Sequence, residues 1–180
     1  MPILESWMIQ ATELVSYSAV PVGTAFVFTD GRSPEVFVKL PQERFMPWRG
    51  TLTHNGLAGL PVHTIFGTPP DRPTASRRQL RDEQRILALL TGWSDMRVKA
   101  HLLRAWFPPE PTLWDIFVDY DGRYNRAVSG LEAQGQCIHS HEWWDASRGQ
   151  SLHYTSSLTG AGFHRAAREG VAQDHQVRAP

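Results

Sequence analysis

The sequence predicts an α+β domain built mainly on antiparallel β-sheet, with a central helix pair and a short C-terminal helix. Three observations carry that prediction. The stretch from Thr74 to Phe107 is the one long segment whose apolar residues recur at helical spacing. The stretches TAFVFT (Thr24–Thr29) and EVFVKL (Glu35–Leu40) alternate at period two around Asp30-Gly31-Arg32-Ser33-Pro34, which makes a hairpin. Further strand-like runs on both sides of the helical stretch are joined by short turns, and this order favours antiparallel pairing.

Taken in order, the chain begins with PILESWMIQATELVSY. There Ile3, Trp7, Ala11 and Leu14 fit a helix face that runs into a strand. The hairpin follows, and then a Pro- and Gly-rich region with short strands at Gly50–His54 and Pro61–Phe66. Gly67-Thr68-Pro69-Pro70-Asp71-Arg72-Pro73 is a stiff connector into the helix pair. After Pro111, TLWDIFVDY (Thr112–Tyr120) and RYNRAVS (Arg123–Ser129) flank Asp121-Gly122, a strong hairpin turn signal. Strands at Gln136–Trp144 and Ser151–Ser156 come next, and Gly160–Ala172 closes the chain as a helix. We therefore expect one domain over residues 1–180, with a β-rich part at 1–68, the helix pair at 74–107, and a β-meander plus helix at 112–173.

Within the helix pair, Leu80, Ile86, Leu87 and Leu90 face one way, as do Val98, Leu102 and Ala105, with a break at Thr91-Gly92-Trp93. Ser76 with Gln79 three residues on has capping-box spacing, Ser94 or Asp95 can cap the second helix, and Pro108-Pro109 ends it. Gln84 to Leu103 then reads as a helix-turn-helix, with Ala88 at the close approach, Gly92 at the turn and Val98 pointing inward. Asp95, Arg97, Lys99, His101 and Arg104 would face outward. Thr91 and His101 depart from the pattern by standing where such motifs bury apolar side chains.

Charge supports the same reading. Arg72, Arg77, Arg78, Arg81, Arg85, Arg97, Lys99 and Arg104 outnumber Asp71, Asp82, Glu83 and Asp95, although the whole chain has a formal net charge of zero. Such a local basic footprint suits phosphate contact, whereas a neutral chain is no unspecific nucleic-acid coat. Lys39 and Lys99 are the only lysines, and arginine is the better bidentate partner for phosphate and guanine. The expected function is DNA binding through Arg97, Lys99, His101 and Arg104, with Arg77, Arg78 and Arg81 beside them. A regulator or an accessory factor of a mobile element would need such a surface.

Two rival readings rest on other residues. On the strand QCIHSHEWW, Cys137, His139 and His141 share a face, with neighbours on that face roughly 6.5–7 Å apart. With His153 they would form a ligand set for Zn²⁺, with Glu142 or Asp145 as base, in a metal-dependent hydrolase or nuclease. The spacing follows no standard zinc motif, so no cofactor is the primary expectation. Asp115 and Asp119 could pair on Mg²⁺, but they alternate with apolar residues as the polar side of a strand does. The third reading is a protein-binding inhibitor or adaptor without catalysis, which would use Arg44, Trp48 and Arg49 as an exposed aromatic and basic patch.

A non-enzyme is favoured, since there is no G-x-S-x-G turn and Gly160-Ala161-Gly162 lacks the strand context of a phosphate loop. Cys137 is the single cysteine, which excludes an intrachain disulfide. No apolar run approaches membrane-spanning length, and the first residues lack signal-peptide character, so a cytoplasmic protein with no membrane partner is expected.

Overall fold

The computed structural model describes residues 10–29, 35–56, 58–66, 72–107, 122–141 and 154–170. Its larger sheet has six antiparallel strands: β1 (Gln10–Ser16), β2 (Ala25–Phe28), β3 (Phe37–Lys39), β4 (Arg44–Pro47), β5 (His54–Asn55) and β6 (Pro61–Phe66). Their spatial order is β1-β6-β2-β3-β4-β5. The predicted hairpin is present as the β2–β3 pair, in the register Ala25↔Val38 and Phe26↔Phe37. From β2 to β5 the chain meanders, and β6 then returns to pair with β2 on one edge and β1 on the other.

The N-terminal stretch, expected to be helical through Ala11 and Leu14, is strand from Gln10 onward, because Leu14 and Val15 pair with His63 and Val62 of β6. Strand β4 was not foreseen. It is turned back by Gln42 and Glu43, which both adopt the left-handed region at φ 62° and 55° and so make a tight return without glycine.

The helical half consists of α1 (Arg77–Leu90), α2 (Asp95–Trp106), α3 (Arg123–Ala133) and α4 (Gly160–Arg168). A two-stranded antiparallel ribbon of β7 (Cys137–His141) and β8 (Tyr154–Leu158) accompanies them. The Ser76 hydroxyl accepts from the Gln79 N–H at 3.1 Å, which is the cap the sequence predicts for α1.

Helix α3 corrects the expected second strand of an Asp121-Gly122 hairpin. Tyr124, Ala127, Val128 and Leu131 are its buried residues, and that spacing is the apolar stripe of a helix. Gly122 does adopt a left-handed conformation, at φ 70°, but as the entry to a helix rather than as a hairpin turn.

One face of the large sheet packs Ala25, Val38, Met46, Trp48 and Ile65 against Ala161 and Phe163 of α4. The other face buries Tyr17, Phe26, Phe37 and Val62 with partly buried Phe28 and Phe45. A separate core joins Ile86, Leu87, Val98, Leu102, Tyr124, Val128, Leu131 and Cys137, and Ala166 of α4 belongs to it. Helix α4 therefore packs into both cores.

The glycines of α4 are what permits that. A Cβ on Gly160 would meet the Pro47 carbonyl oxygen at 2.4 Å, and one on Gly162 would meet the Gln136 carbonyl oxygen at 2.0 Å. Both obstacles are backbone atoms, which cannot rotate away. The Gly-Ala-Gly run thus serves close approach, with the Thr159 hydroxyl capping the Gly162 N–H at 3.3 Å. We predict that Gly162→Ala lowers stability by about 1–3 kcal/mol, read from the urea midpoint; an unchanged midpoint would mean that α4 has room to move off Gln136.

Candidate nucleic-acid interface

Helix α1 sorts its charges by face. Asp82 and Glu83 are buried, while Arg77, Arg78, Arg81 and Arg85 are exposed. Asp82 accepts two hydrogen bonds from Arg123 of α3, from Nε and Nη2, each 2.8 Å long. The same Arg123 guanidinium lies over the Trp106 ring of α2 at 3.9 Å, so one side chain ties three helices.

Glu83, 0% exposed, accepts from both terminal nitrogens of Arg72, from Arg165 of α4 at 3.0 Å and from Gln134 at 3.2 Å. Burial pushes its carboxyl upward, but the hydrogen bonds and charges of Arg72 and Arg165 outweigh that effect and hold it below the usual carboxylate range. The acids of α1 are thus neutralised inside the protein, and its surface charge is arginine alone.

These exposed arginines meet others from α3. Arg78, Arg81 and Arg85 line a hollow with Arg123 and Trp106. A smaller adjoining hollow is lined by Arg78, Arg123 and Arg126. The stripe along α1 and the outer face of α3 therefore form one continuous basic surface. Beside Arg126, the outward positions of α3 carry Asn125, half-buried, and the exposed Ser129, Glu132 and Ala133. Apart from Glu132 these are short or amide-bearing side chains, a composition that lets a helix approach a groove closely.

The expected contact residues are distributed differently. Arg97, His101 and Arg104 are exposed on one face of α2, and Arg97 lies over the Trp93 ring at 4.2 Å, with His101 edge-on to the same ring. Lys99, expected on that outer face, is only 5% exposed and sits 5.3 Å from the Tyr124 ring. Its position, one residue after the inward Val98, turns it towards α3, so it packs between the helices instead of facing outward. Arg77, Arg78 and Arg81 are exposed as expected. Arg85, Arg123 and Arg126 join the surface although they were absent from the predicted contact set. Arg126 escaped notice because a strand reading of Arg123–Ser129 hides the helical face it shares with Ser129.

The expected aromatic and basic patch is not exposed as a unit. Trp48 is only 6% exposed and packs against the His164 ring, with 5.2 Å between centroids. Its backbone donates to Val36 and accepts from Ala161, which locks it between the sheet and α4. Arg49 is exposed and Arg44 half-buried.

The metal reading divides in the same way. Cys137 is 2% exposed in the helical core, 3.8 Å from the Val128 carbonyl oxygen, and burial pushes its thiol up to about 12. His139 and His141 belong to β7 by their backbone, in register with Ser156 and Tyr154; their side chains lie outside the described residues, as do His153, Glu142, Asp145, Asp115 and Asp119. Among the described residues, no group of three or more His, Cys, Asp or Glu side chains gathers to hold a metal ion, and no helix is long and apolar enough to cross a membrane.

Comparison with protein-family models, with curated proteins and with solved structures finds no match.

Two expectations follow from the buried groups. Because the Glu83 carboxyl titrates lower in the folded chain than in the unfolded one, its contribution is complete above about pH 4.5 and is lost as the pH falls further. Glu83→Gln should lower stability at pH 7 by about 3 kcal/mol and flatten the acid side of the stability curve, as measured by denaturant titration at several pH values. Cys137 should resist a thiol reagent at pH 8 in the native protein and react fully in denaturant; rapid native labelling would contradict its burial.

Proposed function

We propose that the protein binds duplex DNA through the basic surface formed by α1 and α3, with α3 lying along the groove. The observation that carries this reading is the sorting of charge. Every acidic side chain of α1 is buried against an arginine, and the exposed arginines Arg78, Arg81, Arg85 and Arg126 converge on one side of the helical half. A predominantly positive surface on a chain of zero net charge concentrates attraction for a polyanion in one place.

Further support comes from how α3 is held. Its inner face is fixed on α1, with the Arg123–Asp82 pair beside it, and β7 follows it after a short turn. A reading helix needs such bracing, so that its outer side chains keep one orientation in the groove. Arg78, Arg81 and Arg85 would meet phosphates, and Arg126, with Asn125 and Ser129, base edges. Arg97, His101 and Arg104 of α2 would form a flanking contact.

The test is fluorescence anisotropy with mixed duplex DNA across a salt series. The intact protein should bind with steep salt dependence. Replacing Arg78, Arg81 and Arg85 by alanine should reduce the logarithmic salt slope by about three, near one per contact. Arg97→Ala/Arg104→Ala should change it less. Absence of binding at low salt would refute the reading, and loss confined to the α2 variant would move the interface to that helix.

A further inference from the structure

Between the sheet and the helical half lies a second cleft, away from the basic surface. Its volume of about 690 Å³ falls within the range of small-molecule sites, roughly 300–1,000 Å³. One wall is the β3–β4 return and β4. The facing wall is the α1–α2 corner, and β8 with Phe163 of α4 forms the floor.

The cleft has an apolar body and one charge left to answer. Leu40, Met46, Trp93, Leu158 and Phe163 supply the apolar lining. Alternation along β4 turns Arg44 to the same side as Met46, while Phe45 between them packs into the core on the opposite face. Arg44 is half-buried, and the one hydrogen bond its guanidinium makes among the described residues is a long contact of 3.5 Å to the Pro41 carbonyl.

The other charged groups here have partners within the protein. Glu43 pairs with Lys39 at 2.9 Å. Asp95, also in the lining, is raised above the usual carboxylate range by burial, which its backbone hydrogen bonds from Ser156 and Met96 and the charge of Lys99 offset only in part. A guanidinium has five N–H donors, and leaving most of them unused at a partly dry site is unfavourable unless an acceptor arrives. Gln42 and Glu43 add a second sign. Two successive non-glycine residues in the left-handed region form a return that is costly by itself, and Gln42 of this return lines the cleft beside Arg44.

We propose that this cleft binds a small amphipathic organic anion, its acid group on the Arg44 guanidinium and its apolar body between Trp93, Met46 and Phe163. A planar carboxylate or sulfonate can take two parallel bonds from such a fork. The inference does not rest on the α1 and α3 surface, because none of Arg78, Arg81, Arg85 or Arg126 lines the cleft.

The probe pair is anilinonaphthalene sulfonate and its uncharged analogue N-phenyl-1-naphthylamine, followed by fluorescence titration of the full chain. The sulfonate should bind saturably at one site. Arg44→Met should weaken it about tenfold or more while changing the neutral probe less than about twofold, since only the charged bond is removed. Ser94→Phe adds bulk at an exposed rim position whose side chain makes no capping bond, and should weaken both probes. Equal sulfonate affinity in Arg44→Met, or binding that does not saturate, would overturn the proposal. If Arg44→Met lowers the melting temperature, Ser94→Phe decides: both probes weakened supports the site, and neither weakened refutes it.

Discussion

The carboxylate of Glu83 is the point on which the helical half is assembled. It reaches the segment before α1 through Arg72, the end of α3 through Gln134, and α4 through Arg165. Arg165 extends the network to Gln136 and Glu169. A charge with no exposure is tolerated only when its lone pairs are filled, and here two guanidiniums and an amide fill them. Apolar residues of equal volume could pack as tightly. They would not select one arrangement of four separate segments, whereas each donor here must arrive at a particular oxygen.

Burying the acids also determines what the surface displays. A helix carrying four arginines and two carboxylates would present a mixed face if all were exposed. In α1 the carboxylates point inward and are neutralised there, so the outer face is strongly positive without any excess in the chain as a whole. The packing network and the proposed DNA surface are thus two sides of one helix. Overall charge says nothing about either, because the property that matters is which residues of each sign face water.

Legibility in the sequence followed the length of the signal. The two helices of the central pair, the β2–β3 hairpin, the β7–β8 ribbon and α4 all announce themselves by sustained periodicity or by caps such as Ser76. Strand β4 was missed because its four residues include Pro47 and are too few for alternation to register. Helix α3 reads as strand in the sequence because Asp121-Gly122 is a stronger local signal than the spacing of Tyr124, Ala127, Val128 and Leu131, and a left-handed glycine can open either structure. The site was less legible for a related reason. Arg126 is visible as a surface residue only once α3 is a helix, Lys99 only becomes a core residue once Tyr124 is beneath it, and Trp48 is buried by a helix more remote in the chain than any local pattern reports.

The placement of α4 has a consequence for the order of synthesis. The sheet is encoded in the first part of the chain, yet one of its faces is covered by Ala161 and Phe163 and joined to them through the Trp48 carbonyl and the Ala161 N–H. A chain emerging from the ribosome carries the residues of β1 to β6 long before that cover exists. During this interval Met46, Trp48 and Ile65 lack the helix that covers them in the folded protein. Arrival of α4 ends the exposure and, by the same motion, delivers Arg165 to Glu83. Completion of the N-terminal sheet and closure of the helical core are therefore a single late event, and a truncation before Gly160 would forfeit both.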